Sequence, residues 1–377
     1  MPTSQILLAT TKSSATLPVV PFNLTLNGIY TSNPRLGDTT SEQNTWWSTQ
    51  TYDALFCTNI GQQSYQGFYA FTAGKNATLT ATVSGASGWA HTRGRSITAT
   101  FSISVGDRIV FFAGKSGNFG NNANQGGGGG ASCLMKYGSS LSSDADYVNG
   151  FVPLIIAAGG GGGDVANGSQ ANELASAAPP LSTTTSNTAT QIMAVRNNFY
   201  PSANLVAKQG GAGRDDAAGG GYIAHTGGNG WAGPSRHHLL GSATNITLSG
   251  ISYPAEGIAY GAKGNIKLDA TSGDGGFGGG GSDYSYNSYG SGGGGYYGGN
   301  ESVGANSMLN NAYTAYTYYD AAGNQHQTEG DMRHGALSFV HGSGSSVTDN
   351  GLYGGSSSYG ATTLSGQQQG RVYLSFT

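Results

Sequence analysis

Glycine occurs in runs, and those runs restrict the possible folds more than any other feature of this sequence. Blocks fall at 126–130, 159–163, 219–221, 275–281 (interrupted by Phe277) and 292–295, with pairs at Gly210-Gly211 and Gly298-Gly299. Segments without side chains cannot build a conventional hydrophobic core. In a polyproline II-like conformation they have three residues per turn and no internal hydrogen bonds, so their N–H and C=O groups point outward. Buried backbone groups need partners. Several such segments laid side by side can supply them to one another, because no Cβ holds the chains apart. A single ordered block would cost too much entropy, whereas several sharing one bundle can offset it. Flexible loops are the competing reading. The blocks abut strand-like apolar text, as in Leu154-Ile155-Ile156-Ala157-Ala158 before Gly159, which favours a bundle of polyglycine II helices.

Composition removes several function classes. Of 377 residues 66 are Gly, and only 9% are charged, against about 25% in ordinary domains. A formal net charge of -3 with only 16 Lys+Arg argues against a basic nucleic-acid-binding surface. No apolar run approaches the roughly 18 residues of a membrane span. Glycine does not recur every third residue, so the chain is not collagen. The 22 Tyr and 13 Phe supply anchors that a disordered chain lacks. Met1-Pro2-Thr3-Ser4-Gln5-Ile6-Leu7-Leu8 has neither a basic n-region nor a long apolar h-region, so no secretory signal is recognisable. The expectation is an extracellular or virion-surface protein that leaves its cell by another route, such as virion release.

The remaining text reads as short strands. In 96–105, apolar Ile97, Ala99, Phe101, Ile103 and Val105 alternate with Ser and Thr, the period of a half-buried strand. Gly106-Asp107 turns into a second strand at 108–112. Further strands are expected at 68–72, 77–83, 152–157, 265–268, 336–340 and 371–376. No helical period of 3.6 stands out. One-faced strands must bury that face against a second sheet, so the expected class is all-β, an antiparallel sandwich. Residues 1–60 are poor in glycine and form either an attachment arm or the first strands; 61–377 form the glycine-rich domain.

Several of these segments, in order, resemble the glycine-rich extracellular domain of the anaplastic lymphoma kinase and leukocyte tyrosine kinase receptors. They are Gly106-Asp107-Arg108-Ile109-Val110-Phe111-Phe112-Ala113-Gly114, the 126–130 block with Ala131-Ser132-Cys133-Leu134-Met135-Lys136, and Val152-Pro153-Leu154-Ile155-Ile156-Ala157-Ala158 with its glycines. Later come Gly275-Gly276-Phe277-Gly278, the 292–295 block with Tyr296-Tyr297-Gly298-Gly299-Asn300, and Gly370-Arg371-Val372-Tyr373-Leu374-Ser375-Phe376. The resemblance covers about 65–377, is strongest around Pro153, and is poor over 164–260. It implies a jelly-roll sandwich, similar to tumour necrosis factor, with an inserted bundle of glycine helices. The chain departs from that family in having no membrane span and no kinase, so a rigid scaffold is implied and receptor signalling is not. In composition it also resembles the glycine-rich adhesins of phage tail fibres.

No catalytic or cofactor signature emerges. His91, His225, His237, His238, His326, His334 and His341 show no metal-ligand spacing, Asp215-Asp216 reads as a solvated loop, and no metal or cofactor is expected. Glycine-rich phosphate-loop patterns are trivial in such text without a strand–helix unit, and no Gly-x-Ser-x-Gly elbow lies in an α/β setting. The expectation is a protein that is not an enzyme. Cys57 and Cys133 allow at most one disulfide, and the tendency of cysteine to be buried favours two free thiols. The Tyr/Ser/Asn/Gly tracts have the composition of binding loops. Tyr284, Tyr286, Tyr289, Tyr313, Tyr316, Tyr318 and Tyr319 are candidates either to recognise a cell-surface glycan or outer-membrane protein or to pack on the bundle or a neighbouring subunit. The apolar Ile6, Leu7, Leu8, Val19, Val20 and Phe22 are candidates for an arm that adds a strand to another subunit of its own kind or of a fibre shaft. The function expected is a fibre or tip adhesin in an oligomer; the alternative is a self-assembling filament or capsid-lattice subunit.

Overall fold

The computed structural model describes residues 68–89, 93–117, 127–162, 228–231, 258–259, 275–281, 291–296, 298–299, 336–353 and 368–377 with their side chains, and further strands by backbone. Two antiparallel sheets carry the fold. One has the order β1 (Phe22–Asn27), β18 (Arg371–Phe376), β4 (Ala77–Ser84), β5 (Gly94–Ile103), β17 (Ser345–Tyr353). The other has the order β16 (Phe339–Val340), β8 (Phe151–Ala157), β7 (Ser132–Tyr137), β6 (Arg108–Phe112), β3 (Tyr69–Ala73), β2 (Cys57–Gln62). Between β8 and β16 in the chain lie β9 (Ala212–Asp215), β10 (Ile223–His225), β11 (Arg236–His237), β12 (Ile246–Leu248), β13 (Ile251–Tyr253), β14 (Tyr316–Tyr319) and β15 (Gln325–Thr328), which form small separate sheets. Helix among the described residues is confined to the 3-10 turns Ser139–Leu141 and Ile258–Tyr260 and a 3-10 position at Trp89. None is long and apolar enough to cross a membrane. The class is all-β.

The two sheets share one apolar layer. Leu79, Ala81, Val83, Ile97, Ala99, Phe101, Ile103, Val372, Leu374 and Phe376 meet Tyr69, Phe71, Ile109, Phe111, Leu134 and Ile155. The outward residues of β4 and β5 form a hydroxyl ladder: Thr80 with Thr100 at 3.1 Å, Thr82 with Thr98 at 2.8 Å, and Ser84 with Ser96 at 2.9 Å. Such cross-strand pairs each add a few tenths of a kcal/mol, up to about 1 kcal/mol. The alternation is cut one step short of the expected strand. β5 ends at Ile103, and Val105 is 63% exposed. Gly106 takes φ 89, Asp107 Oδ2 accepts the Ser104 N–H, and Asn76 Oδ1 accepts the Val105 N–H, so the turn uses the backbone groups that another strand residue would have offered.

Strands β3, β6, β7 and β8 of the six-stranded sheet are buried on both faces. Phe68, Val110, Phe112, Cys133, Met135, Phe151, Ile156 and Phe339 line its outer face and are covered by Trp231, Ile258, Phe277 and Tyr296. That explains why 151–157 reads as an unbroken apolar run rather than an alternating one. Pro153 stands in a central strand, where a missing N–H would break the ladder. The register shifts beside it: Leu134 faces Ile155 while Met135 faces Pro153, leaving Leu154 as the extra residue of a bulge. Leu154 still contributes its carbonyl, which accepts the His341 N–H at 2.9 Å. Cys133 is a buried free thiol, and burial pushes its ionisation well above the usual range.

The sandwich strands run directly into side-chain-poor segments. β4 continues into 85–89, β6 into 113–117 and β8 into 158–162, while 127–131 leads into β7; β18 is preceded instead by Gln368-Gln369-Gly370. These segments bond laterally to one another and to 275–281 and 291–296 through their backbones. Around 127–131, the Gly129 N–H donates to Gly160 O at 2.8 Å, Gly130 N–H to Lys115 O at 2.8 Å, and Gly128 N–H to Gly281 O at 2.8 Å. Onto the same segment, Ala86 N–H donates to Gly130 O and Gly294 N–H to Gly129 O, both at 3.0 Å. A Cβ at Gly128, Gly129 or Gly130 would fall closer than 3.0 Å to backbone atoms of Gly292, Ser87 or Phe277 respectively. One block differs from the expected extended course. Within 275–281 the chain turns at Phe277, with φ 101 at Gly278 and φ 86 at Gly279, and the Gly280 N–H closes on Gly276 O.

Candidate functional site

Most residues singled out from the sequence fall outside the described residues: Ile6, Leu7, Leu8, Val19, Val20, Tyr284, Tyr286, Tyr289 and Tyr313. Tyr316, Tyr318 and Tyr319 lie on β14, which pairs with β15 so that Tyr316 faces Thr328, Tyr318 faces His326 and Tyr319 faces Gln325. Phe22 opens β1, where it faces Phe376 of the same chain. The expected strand at 265–268 is outside the described residues, and 336–340 contracts to Phe339–Val340. Asp215, expected in a loop, closes β9 opposite Ile223.

The densest polar cluster among the described residues lies where the β7–β8 connection meets the turn after β16. The connection, 138–150, is tied down from outside the sandwich. Trp231 Nε1–H donates to the Asp146 carbonyl at 2.9 Å and Tyr296 O–H to Asp146 Oδ1 at 2.6 Å. Asn149, at φ 51, donates from Nδ2 to Ala259 O at 3.0 Å. Asp144 Oδ1 accepts the Asp146 N–H at 2.8 Å, which fixes the turn and leaves Oδ2 facing out. On the other side, β16 delivers His341, whose carbonyl accepts the Gly344 N–H at 2.9 Å and closes a turn over Gly342-Ser343.

His341 therefore meets Asp144 across 197 positions of sequence, Nε2 to Oδ2 at 3.0 Å. Its other nitrogen, Nδ1, is 2.8 Å from Ser343 Oγ and accepts the Ser343 N–H at 3.1 Å. A backbone N–H can only donate, so the Nδ1 lone pair must point at it. The ring proton then sits on Nε2 and is given to Asp144. Asp144, Asp146 and His341 place one ligand-type atom each within 4.8 Å of one another. With Nε2 against Asp144 and Nδ1 beside Ser343, the arrangement is a carboxylate–imidazole–hydroxyl chain. Asp144 and His341 are half-buried, and Ser343 is exposed.

Of this group the sequence singles out only His341, as one of seven histidines without metal-ligand spacing. Ser343 carried a faint signal in Gly342-Ser343-Gly344. Asp144 carried none, since its partnership depends on β8 and β16 pairing. The chain matches no protein-family model and no curated protein.

Proposed function

We propose that the chain is a structural and adhesive protein of a virion or cell surface, a fibre tip that recognises a receptor, in which binding rather than catalysis is the principal role. The observation that carries this reading is the lateral backbone bonding around 127–131. It joins segments far apart in sequence into a rigid support without a side-chain core, and support of that kind suits loops rich in Tyr, Ser and Asn. On the same ground we read the glycine segments other than the turned 275–281 block as polyglycine II helices, and we read the sandwich as a jelly roll. The tyrosines at 284–289 and 313–319 are the proposed recognition surface, and a glycan or outer-membrane protein the proposed receptor. Placement outside the cell follows from this role.

A filament or lattice subunit is the second reading, and β1 favours it. The first strand among the described elements closes the β18 edge of its own sheet. A strand that closes an edge within one copy can also close it between copies. Electron microscopy of the purified chain separates the two: discrete particles of fixed size support the adhesin, and polymers support the filament. Two truncations extend the test. Removing residues 2–21 spares β1, and a folded protein that no longer assembles is the expected result; unfolding would place those residues in the core. Removing 2–27 strips the β18 edge of its partner. Lowered stability and new association through the bare edge are expected, read by thermal melting and size-exclusion chromatography.

A further inference from the structure

We propose that Ser343 is a nucleophile, activated by His341 and Asp144, that cleaves small acyl esters presented on a surface. This goes beyond the adhesive role and does not depend on it. The geometry has the order that nucleophilic catalysis requires: hydroxyl, imidazole lone pair, imidazole N–H, carboxylate. Ser343 Oγ lies 2.8 Å from Nδ1, and Nε2 lies 3.0 Å from Asp144 Oδ2. Here the two ring nitrogens are exchanged relative to the usual serine hydrolase arrangement, since Nδ1 serves the hydroxyl. Such constellations are recognised by geometry and roles rather than by sequence position.

Three features distinguish this group from a chance surface turn. The tautomer is fixed by the Ser343 N–H rather than left to solvent. Asp144 is held by the Asp146 N–H, and Asp146 in turn by Tyr296 and Trp231, so the carboxylate is anchored through two buried aromatic residues. Ser343 and Gly342 are exposed while the imidazole is partly covered, so an ester can reach Oγ from solvent. An exposed turn suits a short acyl group carried on a larger surface, such as an acyl ester of a sugar hydroxyl.

The reaction balances with water as the co-reactant. Ser343 Oγ forms a bond to the ester carbonyl carbon while its proton passes to Nδ1, and Asp144 stabilises the imidazolium. The C–O bond to the alcohol breaks and the alcohol leaves with the proton from Nδ1. Water then gives a proton to Nδ1 and attacks the acyl carbon; the bond from that carbon to Ser343 Oγ breaks, Oγ takes the proton back from Nδ1, and the carboxylic acid leaves. Attack requires Oγ to take over a lone pair shared with the Ser343 N–H, so turnover is expected to be slow.

The test uses the full chain and a fluorophosphonate probe, with labelling mapped by mass spectrometry, and p-nitrophenyl acetate as a burst substrate. Labelling at Ser343 is expected, lost in Ser343→Ala and slowed about 100-fold or more in His341→Gln and Asp144→Asn, the scale of general-base assistance. Circular dichroism and melting of each variant establish that it folds. Should His341→Gln fail to fold, Asp144→Asn and carbethoxylation of the wild-type imidazole give the same readout. No labelling of wild type, labelling confined to another serine, or Ser343 labelling at an unchanged rate in the variants would each overturn the proposal.

Discussion

Valine at position 129 is expected to prevent this protein from folding, whereas alanine at Gly106 is expected to be tolerated. Gly129 lies in the middle of the laterally bonded segments. Its N–H reaches Gly160 and its carbonyl receives Gly294. An added Cβ would fall closer than 3.0 Å to the Ala86 carbonyl and to Ser87 backbone atoms. Those are main-chain atoms, held by bonds of their own residues, since the Ala86 carbonyl accepts the Gly160 N–H and the Ser87 N–H donates to Gln368 O, so they cannot rotate away as a side chain would. Relief requires separating segments whose polar groups then lose their partners in a buried setting, at roughly 1–3 kcal/mol for each group. The sum exceeds the 4–5 kcal/mol that marks an exceptional single substitution. At Gly106, φ is 89 and an added Cβ would meet nothing within 4 Å. The cost there is left-handed strain alone, about 1–2 kcal/mol. Soluble yield and melting temperature of the two variants check the contrast. A soluble Gly129→Val protein melting within about 2 °C of the parent, less than 1 kcal/mol at this size, would show that the segment is a loop.

What could be read from the sequence was local, and what could not was long-range. β5 stands out by its alternation and β6 by its apolar run after the Gly106 turn, both signals lying within a few residues. β17 does not. Ser345-Ser346-Val347-Thr348-Asp349-Asn350-Gly351 reads as turn text, yet it forms an edge strand with two register shifts against β5. It is held there by Arg95, whose Nε and Nη2 reach Asp349 at 2.7 and 2.6 Å, a partnership 254 positions long that no local pattern announces. The glycine blocks showed that backbones must meet but not which ones, since glycine carries no information about its neighbour. The turn inside 275–281 is equally hidden, because a straight segment and a bent one have the same composition. In the polar cluster, His341 was visible and its partners were not. The pairing of β8 with β16 brings that turn against the β7–β8 connection, and only the finished sheet supplies it.

Replacing Phe277 by alanine is expected to lower the melting temperature by roughly 10 °C, while leucine there costs little. The sequence gives Phe277 no periodic neighbours, so it reads as an interruption of glycine text. Its side chain shows the reason for the interruption. It is 2% exposed, with its ring edge-on to Phe112 at 5.3 Å and to Phe68 at 6.2 Å between centroids. It thus covers the outer face of the six-stranded sheet, which would otherwise present Phe68, Val110 and Phe112 to water. The main chain of the same residue faces the other way, accepting the Lys115 N–H at 2.8 Å. One residue joins the two modes of cohesion in this fold, apolar packing on one side and backbone bonding on the other. Alanine keeps the backbone bond and removes the ring, at about 3–5 kcal/mol for a buried Phe, or roughly 10 °C in a domain of this size. Leucine keeps most of the volume and should cost less than about 1.5 kcal/mol. Equal and large losses for both variants would indicate that the backbone at 277, rather than the ring, is what the fold requires. A melting temperature unchanged in the alanine variant would show that the glycine segments do not depend on the sheet beneath them.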